Sequence, residues 1–391
     1  MSKSLFHPIL VLGGMLLAAA PAAADFGPTG VDARVLGMGG ASAADASGPS
    51  AVFWNPAGIR RIRGLSAVLG FGMLQHPDPG EWEYGVTDRP FLAASWAPED
   101  EDGTFAVGAA LERPFPRFGY DGRKVVPAGS VPAPSLLDVT SSQDYLELLA
   151  GLGVRTFRSR ASGVTATLDL GFALGLGFSS NEAQGSLNDA GGAWGPEFAS
   201  GTGISLLLPG GFGIALSLEG KIVKASLGIR YRGVLPLGDR DWVSFPSGYA
   251  LAESDLFMPP PQEGGVGLAV VFYRRLTYSL ELSYLFFDAP NAFPNHVPHK
   301  YPVVKLGMEY RVPFQKDTRE LAMRFGYSQS TIDSDALPSI FTVESTGVYF
   351  GWGVRIDPLA RFDAYFTVQF PGEGDVDGVS YLASVSYGLS F

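Results

Sequence analysis

The sequence predicts an all-β fold: a 14-stranded antiparallel transmembrane β-barrel with an N-terminal hatch, or plug, inside its lumen. Three observations lead there. Long segments alternate between apolar and small or polar residues, which is the period of a strand with two unlike faces. Those segments number fourteen, and the connections between them alternate between long and short. The chain is 46% hydrophobic and 17% charged, yet beyond residue 24 no run approaches the about 18 apolar residues of a membrane-spanning helix.

The first 24 residues read as a signal peptide. Lys3 supplies the positive start, Ile9 to Ala20 the apolar stretch, and Ala22, Ala23 and Ala24 the small-residue cleavage site. Cleavage removes Lys3 and no acidic residue, so the formal charge goes from -11 to -12. An acidic chain without a long basic run is a poor binder of nucleic acid. There is no Cys, which excludes thiol catalysis and thiolate metal sites.

The alternation separates a membrane barrel from a soluble sandwich. At the C-terminus, Tyr381, Ala383, Val385, Tyr387, Leu389 and Phe391 share one face, opposite Leu382, Ser384, Ser386, Gly388 and Ser390. Residues 164–178 and 276–286 repeat the pattern. A sandwich strand is typically about 5–6 residues, whereas a membrane-spanning strand takes about 9–11. Lengths and aromatic strand ends favour the barrel, with apolar faces toward lipid.

The fourteen segments are 64–74, 90–97, 103–111, 144–156, 164–178, 199–208, 222–232, 264–272, 276–286, 301–311, 319–328, 345–356, 360–370 and 379–391. Long connections at 75–89, 112–143, 179–198, 233–263, 287–300, 329–344 and 371–378 fall on one side, which outer-membrane barrels turn to the outside. Around residues 204–231 the count resists. A turn fits Pro209-Gly210-Gly211 or Glu219-Gly220-Lys221, and keeping fourteen strands makes one of the two a bulge. Terminal Phe391, with Tyr387 and Leu389, resembles the signal by which outer-membrane barrels meet their assembly machinery.

A barrel of this size needs filling, because about eight strands already leave room only for side chains or one small ligand. Residues 25–63 precede the first strand, lack alternation and are rich in Gly and Ala, so they are expected to plug a barrel of residues 64–391. Asn55, Pro56, Ala57 and Gly58 form the turn that returns the chain to the wall.

The stretch GVDARVLGMGGASAADASGPSAVFWNPAGI resembles the hatch of the FadL-type outer-membrane transport family, with Asn55, Pro56 and Ala57 matching its Asn-Pro-Ala. The likeness continues through LGIRYRG at 227–233, residues 258–287, VKLGMEYRV at 304–312 and LAMRFGYSQS at 321–330. It implies passive uptake of hydrophobic compounds, long-chain fatty acids or hydrocarbons, by a channel in the outer membrane. Its implied surroundings are outer-membrane lipid and lipopolysaccharide, and its implied partner is a hydrophobic small molecule bound by a monomer. Capture between loops 179–198 and 233–263 is implied too, followed by passage to a lumen pocket and lateral exit. Two alternatives stay open: a secretion-apparatus or assembly component of the same superfamily, and an outer-membrane lipid hydrolase. The second needs a Ser/His/Asp set, and none of the four histidines falls on a strand end.

Candidate sites follow. Leu251, Leu256, Phe257 and Met258 lie on a loop and suit a capture surface or packing on the rim. Asp169, Glu281, Lys305, Glu309, Arg311, Arg324, Arg361 and Asp363 face the lumen, and mixed signs there suit a salt-bridge lattice against the plug. Lys305, Arg311 or Arg324 alternatively suit a carboxylate head group. His296 and His299, a lone H-x-x-H containing Pro, read as solvated loop, and Glu373, Asp375 and Asp377 lack the spacing of a calcium loop. Gly37 to Gly40 lack the context of a phosphate loop. No cofactor and no metal is expected.

Overall fold

The computed structural model describes residues 32–75, 87–99, 104–113, 118–126, 135–189, 197–238, 241–252, 262–287, 299–314, 319–330, 345–356, 359–371 and 380–391. The signal peptide and residues 256–258, 296 and 373–377 lie outside the described residues. Among the described residues there are seventeen strands: β1 (Gly64–Gln75), β2 (Thr87–Ala97), β3 (Phe105–Glu112), β4 (Phe118–Val126), β5 (Ser135–Ala161), β6 (Val164–Asp189), β7 (Glu197–Glu219), β8 (Val223–Pro236), β9 (Asp241–Ser244), β10 (Ala250–Ala252), β11 (Gln262–Phe272), β12 (Leu276–Phe287), β13 (His299–Phe314), β14 (Arg319–Ser330), β15 (Ser345–Arg355), β16 (Ala360–Pro371) and β17 (Ser380–Ser390).

Fourteen of them close a barrel. Each pairs antiparallel with its neighbours, β3 joins β5 directly, and β17 returns to β1 with Ser390 opposite Ser66. Closure removes every sheet edge, which a membrane-spanning sheet requires. At the seam the C-terminal residue is part of the ladder: Phe391 N–H donates to the Leu65 carbonyl at 2.7 Å and Leu65 N–H to the Phe391 carbonyl at 3.2 Å. Gly64 enters β1 at φ 67°, and its α-carbon faces the Phe391 carbonyl so closely that a methyl group would overlap it.

The two faces part as the alternation requires. Outside stand Phe172, Leu174, Leu176, Leu280, Leu282, Tyr284, Val385 and Tyr387, all exposed. Inside stand Thr277, Ser279, Glu281, Ser283, Ser384 and Ser386, all buried. Exposed apolar rows on strands such as β6, β12 and β17 with buried polar residues behind them invert a soluble sandwich, and hydrocarbon is the solvent that suits them. Leu382, an apolar residue on the inner face at 0% exposure, joins Val68, Phe91 and Leu149 of the wall in the apolar contacts of the plug.

Several boundaries differ from the sequence expectation. Segments 112–143 and 179–198, expected as loops, carry β4 and the far halves of β5 and β6, which pair from Ser135 with Asp189 onward. β6 has 26 residues, more than twice the about 9–11 that cross a bilayer. These extensions leave the lipid, so they have no greasy side to betray them. The chain also does not turn at Pro209. β7 runs through it to Glu219, with the β6 register unchanged on either side (Leu174 with Gly210, Gly177 with Leu207). The turn is at residues 220–222, closed by Gly220 N–H to the Val223 carbonyl at 2.9 Å. Neither site is a bulge. The register shift lies in β5 between Arg155 and Phe157, where the exposed apolar face passes from Leu152 to Phe157. Loop 233–263 contains the small β9–β10 hairpin, and Leu251 in it is buried at 1% exposure beside Val243 and Phe245.

Leu282, mid-strand on the outer face, reports on the lipid assignment. Leu282→Arg is expected to cost about 2–4 kcal/mol of assembly into bilayers, whereas Leu282→Phe should be near neutral. Folding titrations monitored by the shift in gel mobility between folded and unfolded barrel would check this, and equal behaviour of the two variants would contradict it.

Candidate functional site

Residues 32–62 lie inside the barrel. Asp32 caps the short helix Ala33–Leu36 by accepting from Arg34 N–H at 3.0 Å. A second turn, Ala51–Trp54, leads to Asn55, which caps the 3₁₀ helix Pro56–Arg61. Pro56 suits that first position because its missing N–H has no partner to lose. Asn55 is 1% exposed. Its Oδ1 accepts from Ala57 N–H at 3.1 Å while its Nδ2 donates to the Ala43 carbonyl at 2.6 Å and the Ile229 carbonyl at 3.5 Å. One side chain therefore ties two inner segments together and both to β8. Pro56, Ala57 and Gly58 are buried with it.

Backbone meets backbone at the wall. On the inner faces of β6, β7, β8 and β14, Gly171, Gly213, Gly228 and Gly326 lie against Ala57 N, Asn55 Oδ1, Ala43 O and Gly39 N. A β-carbon at any of the four would overlap these atoms. Gly108, Gly151 and Gly307 lie less tightly against Val52, Ile59 and Met38. The inner glycines thus trace the footprint of the plug around the barrel.

Ion pairs complete the contact. Glu309, 0% exposed on β13, takes Arg324 Nε at 2.7 Å, Arg311 Nη2 at 2.5 Å, Arg361 Nη2 at 3.5 Å and, from the plug, Arg34 Nε at 3.3 Å. Arg34 also holds Asp45 at 2.5 Å, and Asp363 holds Arg324 and Arg361. Burial alone would depress the Arg34 guanidinium, but Glu309 and Asp45 raise it well above the usual arginine range. Glu281 on β12 accepts from Ser42 N–H and Ala43 N–H, each at 2.7 Å, and from Arg230 at 2.6 Å. Arg230 and Lys305 share Glu263, each at 2.5 Å. Arg232 pairs with Glu147 at 2.5 Å and lies over the Phe53 ring, 4.3 Å from its centroid. Buried charges of this density persist only when paired, and removing one member costs about 3–5 kcal/mol.

Between plug and wall, Leu36, Trp54, Glu263, Leu285, Val303, Lys305 and Tyr349 line a cavity of about 20 Å³. That is room for one water. A larger guest would need side chains or plug to move.

The expected site residues are distributed as follows. Lys305, Arg311 and Arg324 are all lumen-facing and all ion-paired with carboxylates of the wall. Of the capture-loop residues only Leu251 is described, and it is buried. Tyr387 and Phe391 are exposed on the outer wall, and Leu389 between them is half-buried. Among the described residues no group of three His, Cys, Asp or Glu side chains is placed to hold a metal ion. Sequence reasoning missed Arg34, Trp54, Arg230, Arg232, Glu147 and Glu263. Arg230, Arg232 and Glu147 had a readable signal, each at the inner parity of an expected strand, whereas Glu263 fell in the expected loop 233–263.

Solved structures share this fold. The chain superposes on the CymD monoaromatic hydrocarbon channel with a TM-score of 0.64 at 16% identity, covering 95% of this chain and 99% of that one. For the toluene transporter TodX of P. putida the TM-score is 0.60 at 17% identity, over 94% and 99% of the two chains. A FadL homologue of Pseudomonas aeruginosa gives 0.56 at 13% identity, over 94% and 100%. No family model and no curated protein matches the sequence.

Two substitutions test the plug contact. Gly171→Ala forces a methyl group into the Ala57 backbone and should cost about 1–3 kcal/mol. Glu309→Gln leaves Arg34 and its neighbours without their shared carboxylate and should cost about 3–5 kcal/mol. Both should leave a folded barrel that passes ions. Planar-bilayer conductance reads this directly, and a conductance as low as the parent's in both would contradict the contact.

Proposed function

We propose that this chain, which has the fold of the FadL-type barrels, is an outer-membrane channel for hydrophobic compounds and performs no chemistry. One observation supports this above the others. A closed barrel with an apolar outer wall has its lumen filled by its own N-terminal segment, held by backbone contacts and ion pairs. An unplugged pore of fourteen strands would pass water-soluble molecules. A filled one passes only what can enter through rearrangement of an apolar and aromatic lining such as Leu36, Trp54, Leu285, Val303 and Tyr349. The neighbours named as monoaromatic hydrocarbon and toluene channels support the same reading.

The proposed substrates are neutral aromatic hydrocarbons or long-chain fatty acids, moved by passive diffusion. Transfer into a protein groove gains about 0.8 kcal/mol per buried methylene, which is the driving force such a solute offers against the polar lipopolysaccharide leaflet. Residues 25–63 serve as the hatch. Lys305 is the inner cation beside the small cavity and the one suited to a carboxylate head group; Arg311 and Arg324 belong to the cluster around Glu309. The loop with Leu256, Phe257 and Met258 would meet the ligand first. The outward row Tyr387, Leu389 and Phe391 would present the chain to the barrel-assembly machinery.

Whole-cell uptake tests this. Gram-negative cells expressing the chain should take up labelled toluene or oleate several-fold faster than cells carrying an empty vector, with no gain for glucose. Equal uptake of both hydrophobic solutes in the two strains would overturn the proposal, and preference for one would name the substrate class.

A further inference from the structure

A second cavity, of about 190 Å³, opens at the other end of the lumen, on the short-turn side. Its walls are the last residues of the plug and the adjoining ends of β5, β6, β7 and β8. Six cationic side chains line it: Arg60, Arg61, Arg63, Arg155, Arg158 and Lys224. Two carboxylates line the cavity with them, Asp169 and Glu219, and Asp45 acts on Arg61 from outside the lining, in a chain whose formal charge is -11. Both carboxylates are already engaged, Asp169 by Arg155 at 2.8 Å and Glu219 by Arg274 at 3.5 Å.

The other lining groups are hydroxyls, Thr165, Thr167 and Ser217, with Ile62 the one apolar side chain. Neither Arg61 nor Lys224 is in an ion pair among the described residues. Arg61 spends its terminal nitrogens on the carbonyls of Ala44 and Ala46 and on the Ser217 hydroxyl, and its buried Nε has no hydrogen-bond partner. Burial holds its guanidinium below the usual arginine range. Elsewhere in the lumen clustered cations surround a carboxylate; here the carboxylates are outnumbered three to one.

From this juxtaposition we infer that the short-turn mouth is a binding site for a compact oxyanion, a carboxylate or a phosphate. Like charges gathered in a partly desolvated cavity repel, and an oxyanion relieves them while accepting charge-assisted hydrogen bonds. A wall with one apolar side chain suits a head group and not a hydrocarbon tail. By the convention of outer-membrane barrels this mouth faces the periplasm. The site lies across the plug from the Trp54 and Lys305 cavity, and the inference does not depend on the uptake reading.

The test uses the purified full chain in detergent and three probes: butyrate, inorganic phosphate and butanol. Calorimetric titration should show saturable binding of one or both anions, weakening as salt is raised, and none of butanol. The anion preferred tells a released carboxylic acid from a phosphate source. An Arg158→Gln, Lys224→Gln double variant, whose residues lie on the wall and not in the plug, should bind about ten-fold more weakly. Glu219→Gln, which removes a rim carboxylate, should bind more tightly; gel-mobility shifts confirm that each variant is folded. Absence of saturable binding by either anion, butanol binding equal to theirs, or unchanged affinity in the double variant would each overturn the inference. Uptake of toluene and oleate is measured separately in cells, so failure there leaves this result standing.

Discussion

A wall of fourteen strands encloses more space than its inward side chains can fill, and the way that space is occupied governs the rest of the molecule. Here the filler is main chain. Main chain can approach main chain closely only where one partner has no side chain. The inner face therefore carries glycine where the plug touches it, on β6 at Gly171, on β7 at Gly213, on β8 at Gly228 and on β14 at Gly326. Glycine in a strand costs stability. The cost is offset because closure leaves none of the fourteen barrel strands without two neighbours, and because the plug buries Ala33, Val52, Phe53, Trp54 and Ile59 against the wall.

Close backbone contact brings the electrostatics with it. The plug's N–H groups at Ser42 and Ala43 arrive at the wall unpaired and need an acceptor, which Glu281 provides. A buried carboxylate needs cations in turn, which Arg230 and Lys305 provide, and these recruit Glu263. The same logic runs through Glu309 to Arg34, Arg311, Arg324 and Arg361. Each charge is explained by the one before it, and the chain of dependence begins at the plug backbone. Half-satisfied networks of this kind are worse than an apolar core. The lattice therefore specifies one seating of the plug more than it adds stability.

How much of this was legible in the sequence follows from which solvent each segment meets. Strands in lipid have a greasy and a polar side, so residues 164–178, 276–286 and 379–391 declared both their state and their facing. Residues 135–143 and β4 stand beyond the lipid, with water on the outside and no need of alternation, and they read as loop. Pro209 offered one of two turn sites because proline lacks a ladder donor, but it stands opposite Val234 in register, the chain runs on, and the turn falls at the second site. At the plug, Asn55 and Pro56 announced a capped turn. The partners of Asn55, Ala43 and Ile229, are distant in the chain, and no local pattern encodes such a pairing. The inner glycines were visible at the polar parity all along; their meaning required knowing that something would press against them.

The two halves of the lumen also differ in charge balance, and this follows from how the plug enters. Its first helix and the loop after it meet β12 and β13, where Glu281 and Glu309 supply carboxylates for orphan N–H groups and for Arg34. Its last turn, Pro56–Arg61, ends in two arginines, and it faces β5 to β8. Arg61 is spent instead on the carbonyls of Ala44 and Ala46 in the preceding loop, with Asp169 in the same cavity and no ion pair of its own among the described residues. Carboxylates are therefore needed where the plug begins and not where it ends. The excess positive charge at the short-turn mouth is the remainder of that unequal distribution, left where water and soluble anions can reach it.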